Sequence, residues 1–361
     1  MAKSVNIGIG LIGPGLIGST LVNQIAAQVP PLKQKYGLNL QLLGVANSRK
    51  MLVNSEGIDL KSWSQAFESQ AEAVELGSFF DRFMGVSGCH HVLIDSTAND
   101  SIPDHYEKLL SAGCHVITPN KKMGAGPYER YMAAKKAMES SGAHFFYEST
   151  VGAGLPVISS LQGLLDTGDK ISIIDGVFSG TLSYIFNSLS KDMPFSEVVK
   201  SAKLNGFTEP DPREDLAGMD VARKVVVLAR ECGMKIDLND LDIESLVPEP
   251  LQGVASVDEF MEKLPQFDEQ MLQRVKEADD QGSVLRYVGV VDVANQKCEV
   301  ALKRYPKDHA LAGLSGTDNI ICISSERYDT LPLIVRGPGA GAAVTATGVF
   351  SDLVTLGKQL S

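Results

Sequence analysis

An aspartate and a lysine four residues apart, Asp220 and Lys224, follow a segment whose carboxylates include Glu209 and Asp215. On a helix, residues at i and i+4 face the same way, so this carboxylate and ammonium meet. Such a pair is at home on any solvated helix, where it contributes only a few tenths of a kcal/mol. Beside an apolar stripe it suits more: the carboxylates bind the ammonium group of an amino acid while the lysine acts on the carbon beyond. A second lysine, Lys121, stands just past the apolar run His115–Thr118, where a strand's carboxyl end faces a ligand crevice in open α/β sheets.

The elements around the Asp–Lys pair are stiff. Pro210 and Pro212 fix two φ angles and push Glu209 and Asp211 toward extended conformations. A helix is predicted from near Asp215, a good N-cap residue, to Gly233. Val221, Val225, Leu228 and Cys232 fall at i, i+4, i+7 and i+11 and form one buried stripe, with Asp220 and Lys224 along its edge.

At the chain start, the apolar run Val5–Ile12 leads into Gly13-Pro14-Gly15-Leu16-Ile17-Gly18 and a helical pattern to about Val29. Strand, G-x-G-x-x-G and helix in this order form a dinucleotide fingerprint. Its glycines allow a tight turn and close backbone approach, and the helix N-terminus offers N–H groups to a pyrophosphate. The spacing alone also arises in plain turns; its place after a buried first strand favours the binding reading. The prolines Pro30-Pro31 separate this helix from a second strand, Leu40–Ala46. At that strand's end, where NAD-specific folds place a carboxylate, the chain has Asn47-Ser48-Arg49-Lys50. Arg49 and Lys50 suit a 2′-phosphate, so NADP(H) is expected over NAD(H), with a solvated loop as the alternative. Gly57–Phe83 reads as mixed and mostly helical. Val92–Asp95 is a further buried strand whose end, Ser96-Thr97-Ala98-Asn99, faces the same ligand-binding side. The hinge Glu148–Pro156 has two glycines that can turn carbonyls inward beside one carboxylate, although from these residues alone a tight domain hinge is the better explanation. Gly337-Pro338-Gly339-Ala340-Gly341 opens a small-residue terminal helix that packs back on the first domain's sheet.

Ala202, Gly206-Phe207-Thr208, Pro210-Asp211-Pro212, Asp215-Leu216, Gly218, Asp220 and Lys224 together resemble the signature of the homoserine dehydrogenases, and the likeness extends over essentially the whole chain. It implies an α/β protein with a Rossmann-type dinucleotide-binding domain, residues 1–148 and 338–361. An α+β catalytic and dimerisation domain with a mixed sheet, residues 149–337, completes it. It implies reversible NADPH-dependent reduction of L-aspartate 4-semialdehyde to L-homoserine in a crevice between the domains. Lys224 would be the proton donor, Asp220 its orienting partner and Lys121 the second active-site lysine. Glu209, Asp215 and Thr181 would bind substrate. Gly13, Gly15, Leu16, Ile17, Gly18, Arg49, Lys50, Thr97, Lys121, Gly206 and Gly341 would face the cofactor. Glu148 with the carbonyls of Val151, Ala153 and Leu155 would hold a monovalent cation, Na⁺ or K⁺. Phe207 departs from the tyrosine many relatives carry, which removes any hydroxyl contact there. The family's fused aspartokinase half and a C-terminal regulatory domain are not seen, so the stand-alone form is expected.

Composition narrows the partners. The 361 residues, 44% hydrophobic, suffice for two modest cores. A net charge of −11 argues against nucleic acid and anionic membrane as partners; the family resemblance implies a small-molecule substrate and a homodimer. Five scattered cysteines, without CxxC spacing, read as reduced core thiols of a cytoplasmic protein. No apolar run reaches membrane-spanning length uninterrupted. Two rivals remain. Aspartate-semialdehyde dehydrogenase chemistry needs a thiol nucleophile, and no cysteine here sits in a site-like loop with a histidine. A non-catalytic NADP-binding sensor would have no use for the Asp220–Lys224 pair.

Overall fold

A computed structural model describes residues 4–361. They form two compact units, the first comprising the chain up to Gly154 together with Gly341–Ser361, the second Leu155–Ala340. Residues 149–154, expected to leave the first domain, therefore stay with it.

The first unit is a seven-stranded sheet with helices on its faces. Its strands are β1 (Val5–Ile12), β2 (Leu38–Ala46), β3 (Lys50–Ile58), β4 (Glu72–Ala73), β5 (His90–Asp95), β6 (His115–Ile117) and β7 (Phe145–Phe146). The order is β4-β3-β2-β1-β5-β6-β7, parallel from β2 through β7 and antiparallel at β3 and β4. β1 is central and buried on both faces, which its near-continuous apolar run requires. β3 is an addition to the reading above: it turns back on β2 as a hairpin instead of leading into a crossover. The expected helical content of 57–83 is carried by the helices Trp63–Gln70 and Leu76–Met84.

The first helix runs well past Val29, through both prolines, to Tyr36 and a left-handed Gly37. Pro30 and Pro31 are exposed, so water satisfies the carbonyls they leave without donors. Leu32 beyond them continues the buried stripe of Leu21, Val22 and Ile25, and that burial carries the helix across the break. The terminal helix, Ala342–Gln359, packs on it, placing Ala346, Val349, Leu353 and Leu356 in the same core as β1 and β2.

The second unit is built on a six-stranded mixed sheet of β8 (Ile171–Val177), β9 (Asp242–Ile243), β10 (Ser283–Asp292), β11 (Lys297–Pro306), β12 (Asp318–Ser325) and β13 (Leu333–Pro338), in the order β13-β12-β8-β10-β11-β9. Only the short β9 runs parallel to its neighbour.

The single helix expected from Asp215 is two. Asp211, not Asp215, is the cap: its carboxylate accepts the Arg213 N–H at 3.0 Å, with Pro212 in the first turn, over Pro212–Leu216. The chain then breaks at Gly218, which has φ +73°, and restarts as Met219–Glu231. A Cβ at Gly218 would lie 2.0 Å from the Tyr287 hydroxyl, which itself donates to the Glu244 carbonyl at 2.6 Å. Glycine is thus required there for both backbone and space. The second helix is buried far beyond one stripe, with every residue from Lys224 to Arg230 covered.

Candidate active site

Lys224 lies inside this buried surface, 7% exposed, not at its edge. Its ammonium donates to the Asp220 carboxylate at 2.7 Å and to the Phe178 carbonyl at 2.7 Å, leaving one N–H direction. The Asp220 side chain is 47% exposed, so the pair is hydrated from one side only. Asp215 stands in the preceding helix and accepts the Glu209 backbone N–H at 2.8 Å. Burial pushes its carboxyl above the ordinary range, with the charges of Glu209 and Asp220 adding to the shift. The Glu209 N–H and the Thr181 hydroxyl oppose it. Thr181 lies in the first turn of the helix Gly180–Ser188, and its hydroxyl donates its proton to the Phe207 carbonyl. Thr181, Glu209, Asp215, Asp220 and Lys224 thus fall into one neighbourhood of the second unit. Gly206 has φ +71° and follows the helix Phe195–Leu204, closing it; nothing lies within 4 Å of where its Cβ would be.

The loop is held from outside. Arg213 grips Asp211 through Nε at 2.9 and 3.0 Å and through Nη2 at 2.6 Å, and donates to the Val254 carbonyl at 2.7 Å. That fork holds the Asp211 carboxyl below its usual range. Phe207 is 41% exposed and meets the Tyr184 ring edge-on, with centroids 4.9 Å apart.

In the first unit, Gly13 turns with φ +86° against Ser96 and Thr97, and a Cβ on Gly18 would lie 2.4 Å from the Gly13 carbonyl. Nothing lies within 4 Å of a Cβ on Gly15, and no side chain caps the helix that begins at Leu16. A close-packed turn with an open, uncapped helix start fits a diphosphate approaching the backbone at Gly15, Leu16 and Ile17. Arg49 and Lys50 sit exposed at the β2–β3 turn, where the Asn47 carboxamide oxygen accepts both their backbone N–H groups at 2.8 Å. Among the described residues neither forms an ion pair within the chain.

Thr97 and Lys121 are placed by a network the sequence reading missed. Asp95, 0% exposed, accepts from Thr97 N–H at 2.8 Å, Tyr106 O–H at 2.6 Å and the Asn120 amide at 3.0 Å. Burial pushes the Asp95 carboxyl up, and burial with the adjoining carboxylate pushes the Tyr106 hydroxyl up. Asn120 also caps the short helix Lys121–Gly124 by accepting the Lys122 N–H. Lys122 pairs with Asp100 at 3.0 Å.

Glu148 is buried at the foot of β7, and Val151 is fully covered. Gly152 and Ala153 are consecutive left-handed residues, φ +79° and +55°, an unusual conformation for alanine. The two residues make a sharp backbone turn just beyond the buried Glu148. Gly348 admits it, since a Cβ there would meet the Ser149 hydroxyl at 2.2 Å and the Ala153 carbonyl at 2.7 Å. Asp352 accepts the Glu148 N–H at 3.1 Å; burial and the adjacent Glu148 raise its carboxyl to about 8. Leu155 opens the second unit, its carbonyl accepting the Val157 N–H at 2.9 Å. Gly341, φ +118°, precedes the terminal helix and accepts the Thr345 N–H.

Comparison with known proteins decides the family. Residues 156–354 match the pattern described as homoserine dehydrogenase, and residues 13–148 that of the homoserine dehydrogenase NAD-binding domain. The chain is 40% identical over 367 residues to the homoserine dehydrogenase of Schizosaccharomyces pombe, covering 99% of this chain and 97% of that one. The chain belongs to the homoserine dehydrogenase family. Members are NAD(P)-dependent oxidoreductases that act on a CH–OH group, and the two-unit α/β fold is theirs. A bifunctional chloroplastic aspartokinase/homoserine dehydrogenase of Arabidopsis thaliana is 52% identical over 358 residues, or 98% of this chain. The chain spans only 39% of that plant protein's length. Among solved structures, a Candida auris protein of unknown function superposes with a TM-score of 0.91 at 39% identity, covering 99% of each chain. A hyperthermophilic archaeal homoserine dehydrogenase in complex with NADPH superposes at 0.72 and 23% identity, covering 98% of this chain and 97% of that one. At that identity the likeness speaks for the homoserine dehydrogenase fold alone. Among the described residues no helix is long and apolar enough to cross a membrane.

Proposed function

We propose that this chain catalyses the reversible, NADPH-dependent reduction of L-aspartate 4-semialdehyde to L-homoserine. The observation that carries the proposal is the buried Lys224 ammonium, tied at two donors and keeping one N–H. Bound NADPH supplies the hydride. As negative charge grows on the aldehyde oxygen, Lys224 stabilises it and delivers the proton, while Asp220 keeps the ammonium oriented. Glu209 and Asp215, with Thr181, are the groups for the substrate ammonium, and Lys121 contributes a second positive charge.

The cofactor's diphosphate is assigned to the backbone of Gly13, Gly15, Leu16, Ile17 and Gly18, with Thr97, Gly206 and Gly341 as further contacts. Arg49 and Lys50 receive the 2′-phosphate, which makes NADP(H) the preferred cofactor. A monovalent cation, Na⁺ or K⁺, is assigned to Glu148 and the carbonyls of Val151 and Ala153. The exposed Ile173 and Ile334 lie on one face of the second unit's sheet and support a homodimer through that face. Five free cysteines suit a reducing, cytoplasmic setting.

The test is NADPH absorbance after aspartate semialdehyde is added to the purified chain. Rapid aldehyde-dependent oxidation is expected. Tight NADPH binding without turnover would identify a non-catalytic sensor instead.

A further inference from the structure

The Phe178 carbonyl accepts two hydrogen bonds, one from Lys224 Nζ at 2.7 Å and one from Asn319 Nδ2 at 3.0 Å. Phe178 is the first residue beyond the β8–β12 ladder, whose last pair joins Val177 to Ile320. No ladder bond holds its carbonyl, so its direction is set by what donates to it.

Asn319 is suited to that task and is expensively kept. It is 0% exposed, and its Oδ1 is buried with no partner. An unpaired buried amide oxygen destabilises a fold, so the retained half of the amide has a use that offsets it. Turning the amide over would set oxygen against the Phe178 oxygen, which fixes its orientation. Gly339 closes the other side: a Cβ there would lie 1.9 Å from Asn319 Nδ2 and 2.1 Å from its Cγ. Gly339 is not among the left-handed glycines, so the neighbouring amide, and not its own backbone, demands that it be small.

We propose that Asn319 is a positioning residue for Lys224: it pins the Phe178 carbonyl and thereby sets the direction of the one ammonium N–H that Asp220 and Phe178 leave over. An ammonium is a three-fold rotor about its Cε–Nζ bond, and two fixed donors determine the third. If the carbonyl drifts, that N–H turns away from the growing alkoxide while ground-state binding is untouched. This inference rests on the reading of Lys224 as proton donor.

The test compares Asn319→Leu, Gly339→Ala and Lys224→Ala in the full chain, measuring kcat, KM for the semialdehyde, NADPH affinity by fluorescence quenching, and Tm. Asn319→Leu is expected to lower kcat about tenfold or more, because only a transition-state contact is misdirected, with KM and NADPH affinity within about twofold. Gly339→Ala should reproduce that pattern while keeping the asparagine, since its new Cβ displaces the amide. If Asn319→Leu does not fold, Gly339→Ala decides alone. Wild-type kcat in the folded variants, beside an inactive Lys224→Ala, overturns the role of Asn319 and leaves the proton donor standing. Losses spread equally over kcat, KM and NADPH affinity also overturn it, since they mark a merely structural residue. A Lys224→Ala enzyme with normal turnover overturns the underlying reading instead.

Discussion

Lys121 and Lys224 are held by opposite means. Lys121 opens a four-residue helix at the end of β6, and its backbone is set by the Asn120 cap and the buried Asp95 behind it. Lys224 sits mid-helix, and its ammonium is set by side-chain partners: Asp220 one turn away and Phe178, 46 residues distant. A lysine at a strand's end inherits its place from the sheet. One in the middle of a helix must be aimed, and so depends on every group that aims it.

The largest expected effect lies on the aimed lysine. Lys224→Ala should lower kcat by about 10²–10⁴-fold, the usual contribution of general acid catalysis, with a lesser change in KM. Asp220→Ala should fall less, because the proton donor remains. Lys121→Ala should show its loss mainly in KM; equal kcat losses at the two lysines would erase the distinction between them. Lys224→Ala should still fold and bind NADPH, since the half-exposed Asp220 stays hydrated when its partner is gone.

Cofactor choice comes next. Replacing Arg49 and Lys50 with neutral residues should shift selectivity from NADPH toward NADH by about tenfold or more, as each charged hydrogen bond is worth roughly 1.5–3 kcal/mol. Parallel losses with both cofactors would show that the β2–β3 turn does not meet the 2′-phosphate.

Smaller still is the cation's contribution. Activity or Tm should respond to Na⁺ or K⁺ beyond ionic strength alone, and Glu148→Gln should abolish that response. An unchanged response in Glu148→Gln would reduce the segment to a hinge.

The smallest effect is at the other end of β6. His115 is buried between His144, ring centroids 5.3 Å apart, and His90, at 6.1 Å. Burial first, then the neighbouring His144, His90 and His91, hold its imidazole down to about 4. The unfolded chain therefore takes up this proton before the folded one does. Stability from this site is full above about pH 6.5, the free-histidine range, and is lost as pH falls toward 4. Tm scans from pH 7 to 5 should show the decline, and His115→Asn, which keeps an acceptor for the His144 N–H, should flatten it. An equal decline in the variant would place the titration elsewhere.

What could be read in the sequence was what is local. Gly13 to Gly18 carry strand, turn and helix start in one stretch, and the folded turn uses those glycines for the reasons their spacing suggests. The Pro210–Lys224 segment was legible as stiff, yet its cap was misplaced. Asp211 and Asp215 are both good caps, and only the Pro212 and Gly218 geometry chooses between them. Asp95, Tyr106 and Asn120 were invisible because a buried aspartate at a strand's end looks no different from a solvated one. Asn319 reaches Phe178 only through the pairing of β12 with β8, a register that no pattern within either segment specifies.

The terminal helix has a consequence for how the molecule is made. Ala346, Val349, Leu353 and Leu356 share one core with β1 and β2, and Gly357 presses so closely on Leu38 and Ile7 that a Cβ there would lie 2.7 Å from Leu38. On the ribosome the first 154 residues emerge long before this helix does, with one wall of their core missing. The second unit, continuous in sequence, can close first, while the earlier-born sheet waits with apolar surface uncovered. Nascent chains halted near residue 340 should therefore be richer in chaperone contacts over residues 5–45 than chains released at full length.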